Sequence, residues 1–171
     1  MLERDELKIA VEDARARQTA LVQLMYFLDT QAMNFLRTYI TIEAAVVSAI
    51  VVAISNAWPF KVELLGSLFG LFGSILVGSF FCFRTMRTVT IILPGRGPEF
   101  WTWALDKEIS HDEVALAYLQ SLEGSINENR RINEASSKEL DRARFCGLLS
   151  PFIALGGALI ASACYWLAKM S

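Results

Sequence analysis

The residues best equipped for chemistry in this 171-residue chain are few, and each stands in a setting that limits what it can do. Glu43 lies in residues 38–57, a stretch otherwise rich in Ala, Val and Ile. At about 1.5 Å of helical rise per residue it sits roughly 8 Å inside that stretch, where a carboxylate needs a partner, a proton or water. It reads either as a pore-lining or gating carboxylate or as an interfacial glutamate paired with Arg37 or Arg84. Asp29, among Met25, Phe27 and Leu28, reads as a helix-surface carboxylate near the headgroups. Asn129, Arg130 and Asn133 fall in N-E-N-R-R-I-N-E. Amides and guanidinium groups there either set helix register or hold a small anion through charge-assisted hydrogen bonds. Arg96 lies within the turn-forming L-P-G-R-G-P (93–98), and Phe100, Trp101 and Trp103 come just after that turn. Those rings form an interfacial aromatic belt or a stacking platform for a base.

Nothing assembles into a catalytic set. His111 is the only histidine, and it sits where S-H-D-E opens a helix. Ser110 there reads as the N-cap, with Glu113 three residues on completing a capping box. Cys82, Cys146 and Cys164 share no metal-ligand spacing and read as small packing residues. The expectation is a protein that is not an enzyme and has no cofactor and no metal site. With 16 basic and 18 acidic residues and a net charge of −2, no concentrated positive face points to nucleic acid.

The elements that carry these residues are membrane elements. Hydrophobic residues make up 54% of the chain and mean hydropathy is +0.39, well above an ordinary soluble domain. Residues 64–83 and 145–168 hold no charge and are long enough to cross a bilayer; residues 38–57 make a third span despite Glu43. Trp58 and Pro59 mark the exit of that first span. The first 30 residues are charged and helical in pattern, so no cleavable signal peptide is expected. Lys and Arg number five in residues 1–37, one (Lys61) before the second span, nine in residues 84–144 and one (Lys169) at the end. That distribution places 1–37 and 84–144 in the cytoplasm and the C-terminus outside.

Two long helices and two rows of small residues complete the expected architecture. Leu7, Val11, Ala14, Gln18, Leu21, Met25, Leu28, Ala32 and Phe35 alternate at spacings of four and three, a heptad seam leading toward the first span. Ala115, Leu119, Leu122, Ile126, Asn129, Asn133, Ser136, Leu140 and Ala143 repeat the pattern and lead into the third span. The fold class is therefore all-α, with three transmembrane helices, two of them continuous with long cytoplasmic helices that form a stalk by facing each other or copies in other subunits. In the second span Gly66, Gly70, Ser74 and Gly78 recur every fourth residue; in the third, Ser150, Ala154, Ala158 and Ser162 do the same. Such rows let helix backbones approach closely, within one subunit or between subunits.

Taken in order, F-L-D-T-Q-A-M-N-F-L (27–36), two close spans, the Arg84 to Arg87 exit, E-F-W-T-W-A (99–104) and residues 117–143 leading into the last span resemble the transmembrane effectors of Pycsar cyclic-nucleotide antiphage systems, and more distantly the SLATT effectors. What the resemblance implies is a latent homo-oligomer in the bacterial inner membrane. It would respond to a cyclic mononucleotide such as cCMP or cUMP and impair the lipid bilayer around it. The alternatives are a holin-like or scaffold membrane protein and a small subunit of a channel or transporter complex.

Overall fold

A computed structural model describes residues 4–56, 60–86, 92–93, 95–105 and 109–170. Trp58, Pro59, Arg87 and Ser171 lie outside the described residues. The chain forms four helices, α1 (Arg4–Ser55), α2 (Lys61–Thr85), α3 (Pro98–Ala104) and α4 (His111–Met170), with no strand among the described residues. α1 runs for 52 residues because nothing in it interrupts a helix: it holds neither Gly nor Pro. α4 begins at a formed capping box. The Glu113 amide donates to Ser110 Oγ at 3.2 Å, and the Ser110 amide donates back to Glu113 Oε2 at 3.0 Å.

α4 also continues through a proline. Pro151 has no N–H, so the carbonyl of Gly147, four residues back, loses its helical donor. The Ser150 hydroxyl replaces it, donating to Gly147 O at 2.8 Å. In an apolar surrounding that substitution matters, because no water is there to do the same.

α1, α2 and α4 each contain a window long and apolar enough to cross a membrane. Their large side chains face outward, with Val51, Phe69, Phe83, Phe152, Leu159 and Leu167 all exposed. A water-soluble protein would bury such a surface, and a bilayer covers it instead. This is an all-α membrane protein.

The contacts divide the chain into two units, Met1–Leu28 with Thr88–Ala135 and Asp29–Arg87 with Ser136–Ser171, so α1 and α4 each contribute to both. In the first unit Tyr118, Leu122 and Ile126 of α4 pack with Val11, Ala14 and Leu21 of α1 and with Phe100 of α3. The seam positions of both helices are buried or half-buried throughout, and within this unit Arg15 meets Tyr118 and Leu21 meets Asn133, so the two helices run parallel there. In the second unit Tyr39, Ile75, Cys82 and Ala143 form the core, closed by Phe35, Leu36, Ile42, Leu71 and Phe81.

Candidate functional site

The seam of the first unit carries a polar layer where the heptad pattern calls for apolar residues. Gln18, Asn129 and Asn133 are 1%, 0% and 4% exposed. Gln18 Nε2 and Asn129 Nδ2, from different helices, both donate to the backbone oxygen of Ile92, at 3.2 and 3.0 Å. Asn133 Nδ2 donates to Leu21 O at 2.9 Å. With their amide nitrogens committed, the side-chain oxygens of all three stay buried without a donor among the described residues. Each such acceptor costs about 1–3 kcal/mol relative to a satisfied one.

Of the residues read as an anion site in N-E-N-R-R-I-N-E, the structure buries Asn129 and Asn133 and leaves Arg130 outside. Arg130 is not brought to the amides: it is 62% exposed and pairs with Glu134 at 3.0 Å, while Arg131 pairs with Glu128 at 2.9 Å. Neighbours on a helix point about 100° apart, so residue 130 leaves the seam that residue 129 fills. The inward groups are then acceptors, which repel an anion. Gln18 belongs to the layer, and its signal was present in the sequence as a polar residue at a seam position.

Cations and rings do converge elsewhere in the first unit. Phe100 packs on Trp101, Trp103 and Tyr118 with ring centroids 5.3, 5.5 and 5.9 Å away. Arg96 covers Phe100 at 5.3 Å. Arg15 covers Tyr118 at 4.9 Å and donates from Nε to its hydroxyl at 2.8 Å. Trp101 and Trp103 keep 43% and 42% of their surface open. Alongside, a groove between α1 and the start of α4 is lined by Lys8, Glu12, Arg15, His111 and Asp112 among others. Arg15 and Tyr118 had no sequence signal as partners, being 103 positions apart.

In the second unit the small residues are used within the chain. A Cβ on Gly66 would meet Gly157 O and Ala161 Cβ, and one on Gly70 would come 2.8 Å from Ile153 O. Ser74 donates to Cys146 O at 3.1 Å. Gly78 faces a different helix, where a Cβ would come 2.7 Å from the Tyr39 ring. The α4 residues that these small α2 residues meet are Cys146, Ile153, Ala154, Gly157 and Ala161. Of the row read from sequence, Ala154 lies at that contact, Ser150 is buried and serves Gly147, and Ala158 and Ser162 are half-buried.

Glu43 is half-buried, and the hydroxyl of Ser79 donates to its Oε1 at 3.1 Å. Arg84, one of the two arginines considered for it, pairs instead with Glu139 at 3.4 Å. Asp29 stays on the exposed side of α1, and partial desolvation raises its carboxyl pKa from the usual aspartate value.

No protein-family model matches this sequence, and no curated protein or solved structure matches it.

Proposed function

We propose that this chain is a ligand-gated membrane effector in which the first unit senses and the apolar helices act on the bilayer. The observation that carries the reading is the polar layer of Gln18, Asn129 and Asn133, on two helices that each also contain a window long and apolar enough to cross a membrane. A seam filled with leucine at those positions would hold one arrangement. Three unpaired acceptors weaken it by a few kcal/mol, which brings a second arrangement within reach of a ligand's binding energy. α1 and α4 each hold seam residues and an apolar window in one helix, so a change in seam register has a covalent route toward the spans.

The ligand surface we assign is the Arg15, Arg96, Trp101 and Trp103 group with the groove beside it, in place of Arg130. Guanidinium groups suit a phosphate, and open indole faces suit a base. The ligand class, a cyclic mononucleotide such as cCMP or cUMP, and the antiphage setting come from the resemblance to Pycsar effectors. So do the inner-membrane location and damage through self-association. The distribution of Lys and Arg supports a cytoplasmic N-terminus and an external C-terminus. Nothing in this reading requires an enzyme active site.

A second reading, a holin-like or scaffold protein that self-associates without a ligand, is favoured by Gly73 and Gly156, which have open space where a Cβ would stand and so offer another helix a close approach. Binding of cCMP, cUMP, cAMP and cGMP to the detergent-solubilised full chain separates the two. Binding that Arg15→Ala or Trp101→Ala weakens supports the effector, and absence of binding to all four supports the holin-like protein.

A further inference from the structure

We infer that the arginine-bearing end of the second unit is a binding site for the headgroup of an anionic phospholipid, with Arg84 and Arg142 as its two phosphate ligands. Both guanidinium groups reach the same carboxylate oxygen: Arg84 Nη2 lies 3.4 Å and Arg142 Nη1 3.1 Å from Glu139 Oε1. One carboxylate between two guanidinium groups leaves an excess positive charge. Glu139 is only 15% exposed and its Oε2 is enclosed, so its own charge is held inward while the side chains of Arg84 and Arg142 remain 48% and 58% exposed. Each guanidinium has five N–H donors, and the contacts to Glu139 occupy few of them.

The setting selects a lipid over a soluble anion. Arg84 is the first charged residue after the uncharged stretch 64–83, at the level where an apolar helix passes from acyl chains to headgroups. Its guanidinium lies 5.9 Å from the ring centre of Phe80, and that of Arg142 lies 5.9 Å from Phe81. Phe80 and Phe83 are 56% and 69% exposed, so a phosphate held by the arginines would have acyl chains resting on rings directly below it. Arg144, stacked 5.6 Å from Phe35, is already matched by Asp141 at 3.3 Å and contributes no excess charge. Glu139 is thus a positioning residue that holds two arginines side by side. This inference stands apart from the reading of the first unit as a sensor.

The test is thermal unfolding of the full chain in detergent with added phosphatidylglycerol, with phosphatidylcholine of the same acyl chains, or with inorganic phosphate alone. Phosphatidylglycerol should raise the unfolding midpoint above phosphatidylcholine, and inorganic phosphate should not reproduce the rise. Arg84→Ala and Arg142→Ala should each weaken the apparent lipid affinity by roughly tenfold or more, the loss expected for one charge-assisted contact. Arg84→Gln keeps the stem over Phe80 and guards against a misfolded alanine variant, and Arg130→Ala should behave as wild type. An equal effect of both lipids, a phosphatidylglycerol effect that survives loss of both arginines, or full mimicry by inorganic phosphate overturns the site.

Discussion

Tyr39 donates its phenolic hydroxyl to the carbonyl oxygen of Ala143 at 2.7 Å, and both residues are buried. The ring occupies space that two glycines leave free: a Cβ on Gly78 would stand 2.7 Å from Tyr39 Cε2, and one on Gly147 2.5 Å from its hydroxyl oxygen. α1, α2 and α4 therefore meet around one side chain. Tyr39→Phe should lower unfolding stability in detergent by about 1 kcal/mol, the net value of one hydrogen bond. Gly78→Leu and Gly147→Leu should cost more, since their side chains collide with the ring, whereas Gly73→Leu enters open space. Similar losses at Gly73 and Gly78 would show that the ring is not the point of contact.

Ser150→Ala removes the hydroxyl that donates to Gly147 O and leaves the carbonyl freed by Pro151 unpaired in an apolar surrounding. A loss of about 1–3 kcal/mol follows. Adding Pro151→Ala restores the backbone donor, so the double variant should recover most of it. Thermal unfolding of the four proteins closes this cycle, and additive losses would rule the compensation out.

Asn133→Leu should stabilise the protein. It removes a buried acceptor without a donor, and the carbonyl it served, Leu21 O, lies inside α1 where the helix supplies its own donor. Asn129→Leu should act the same way because Gln18 still serves Ile92 O. A gain of about 1 kcal/mol each is expected. A clear drop in the unfolding midpoint of either variant would mean that the amides are satisfied after all.

The legible parts of this fold are those that periodicity encodes. Every seam position from Leu7 to Phe35 and from Ala115 to Ala143 turned inward, because an alternating four-three spacing stays on one face of two wrapped helices. A strict spacing of four does not: it turns about 40° per step at 3.6 residues per turn. That drift is why Gly66 and Gly70 face α4 while Gly78 faces Tyr39; on α4, Gly157 and Ala161 meet Gly66, and Ala158 and Ser162 each stand one residue, about 100°, further round. Arg130 neighbours Asn129 in the chain but is exposed and pairs with Glu134, a separation that adjacency does not reveal. Ser150, read as a packing residue, is buried and also donates to the carbonyl that Pro151 frees, a role that Pro151 beside it announced. The meeting of Arg15 with Tyr118 had no local trace at all.

The distribution of Lys and Arg sets the orientation to be tested. A reporter fused after Ser171 should report from the outer side, and one inserted near Gly95 from the cytoplasm, because the nine basic residues from 84 to 144 resist translocation. A cytoplasmic signal from the C-terminal fusion removes the model of three crossings.

The polar layer as a releasable catch is tested most directly by following membrane potential in cells that express the wild type or the Asn129→Leu/Asn133→Leu protein while cCMP or cUMP is produced. The wild type should depolarise the membrane only when a cyclic mononucleotide is present, and the double variant should insert normally, bind the nucleotide and leave the potential intact. Depolarisation by the double variant at the wild-type nucleotide dose would contradict the account, as would depolarisation by the wild type with no cyclic nucleotide in the cell.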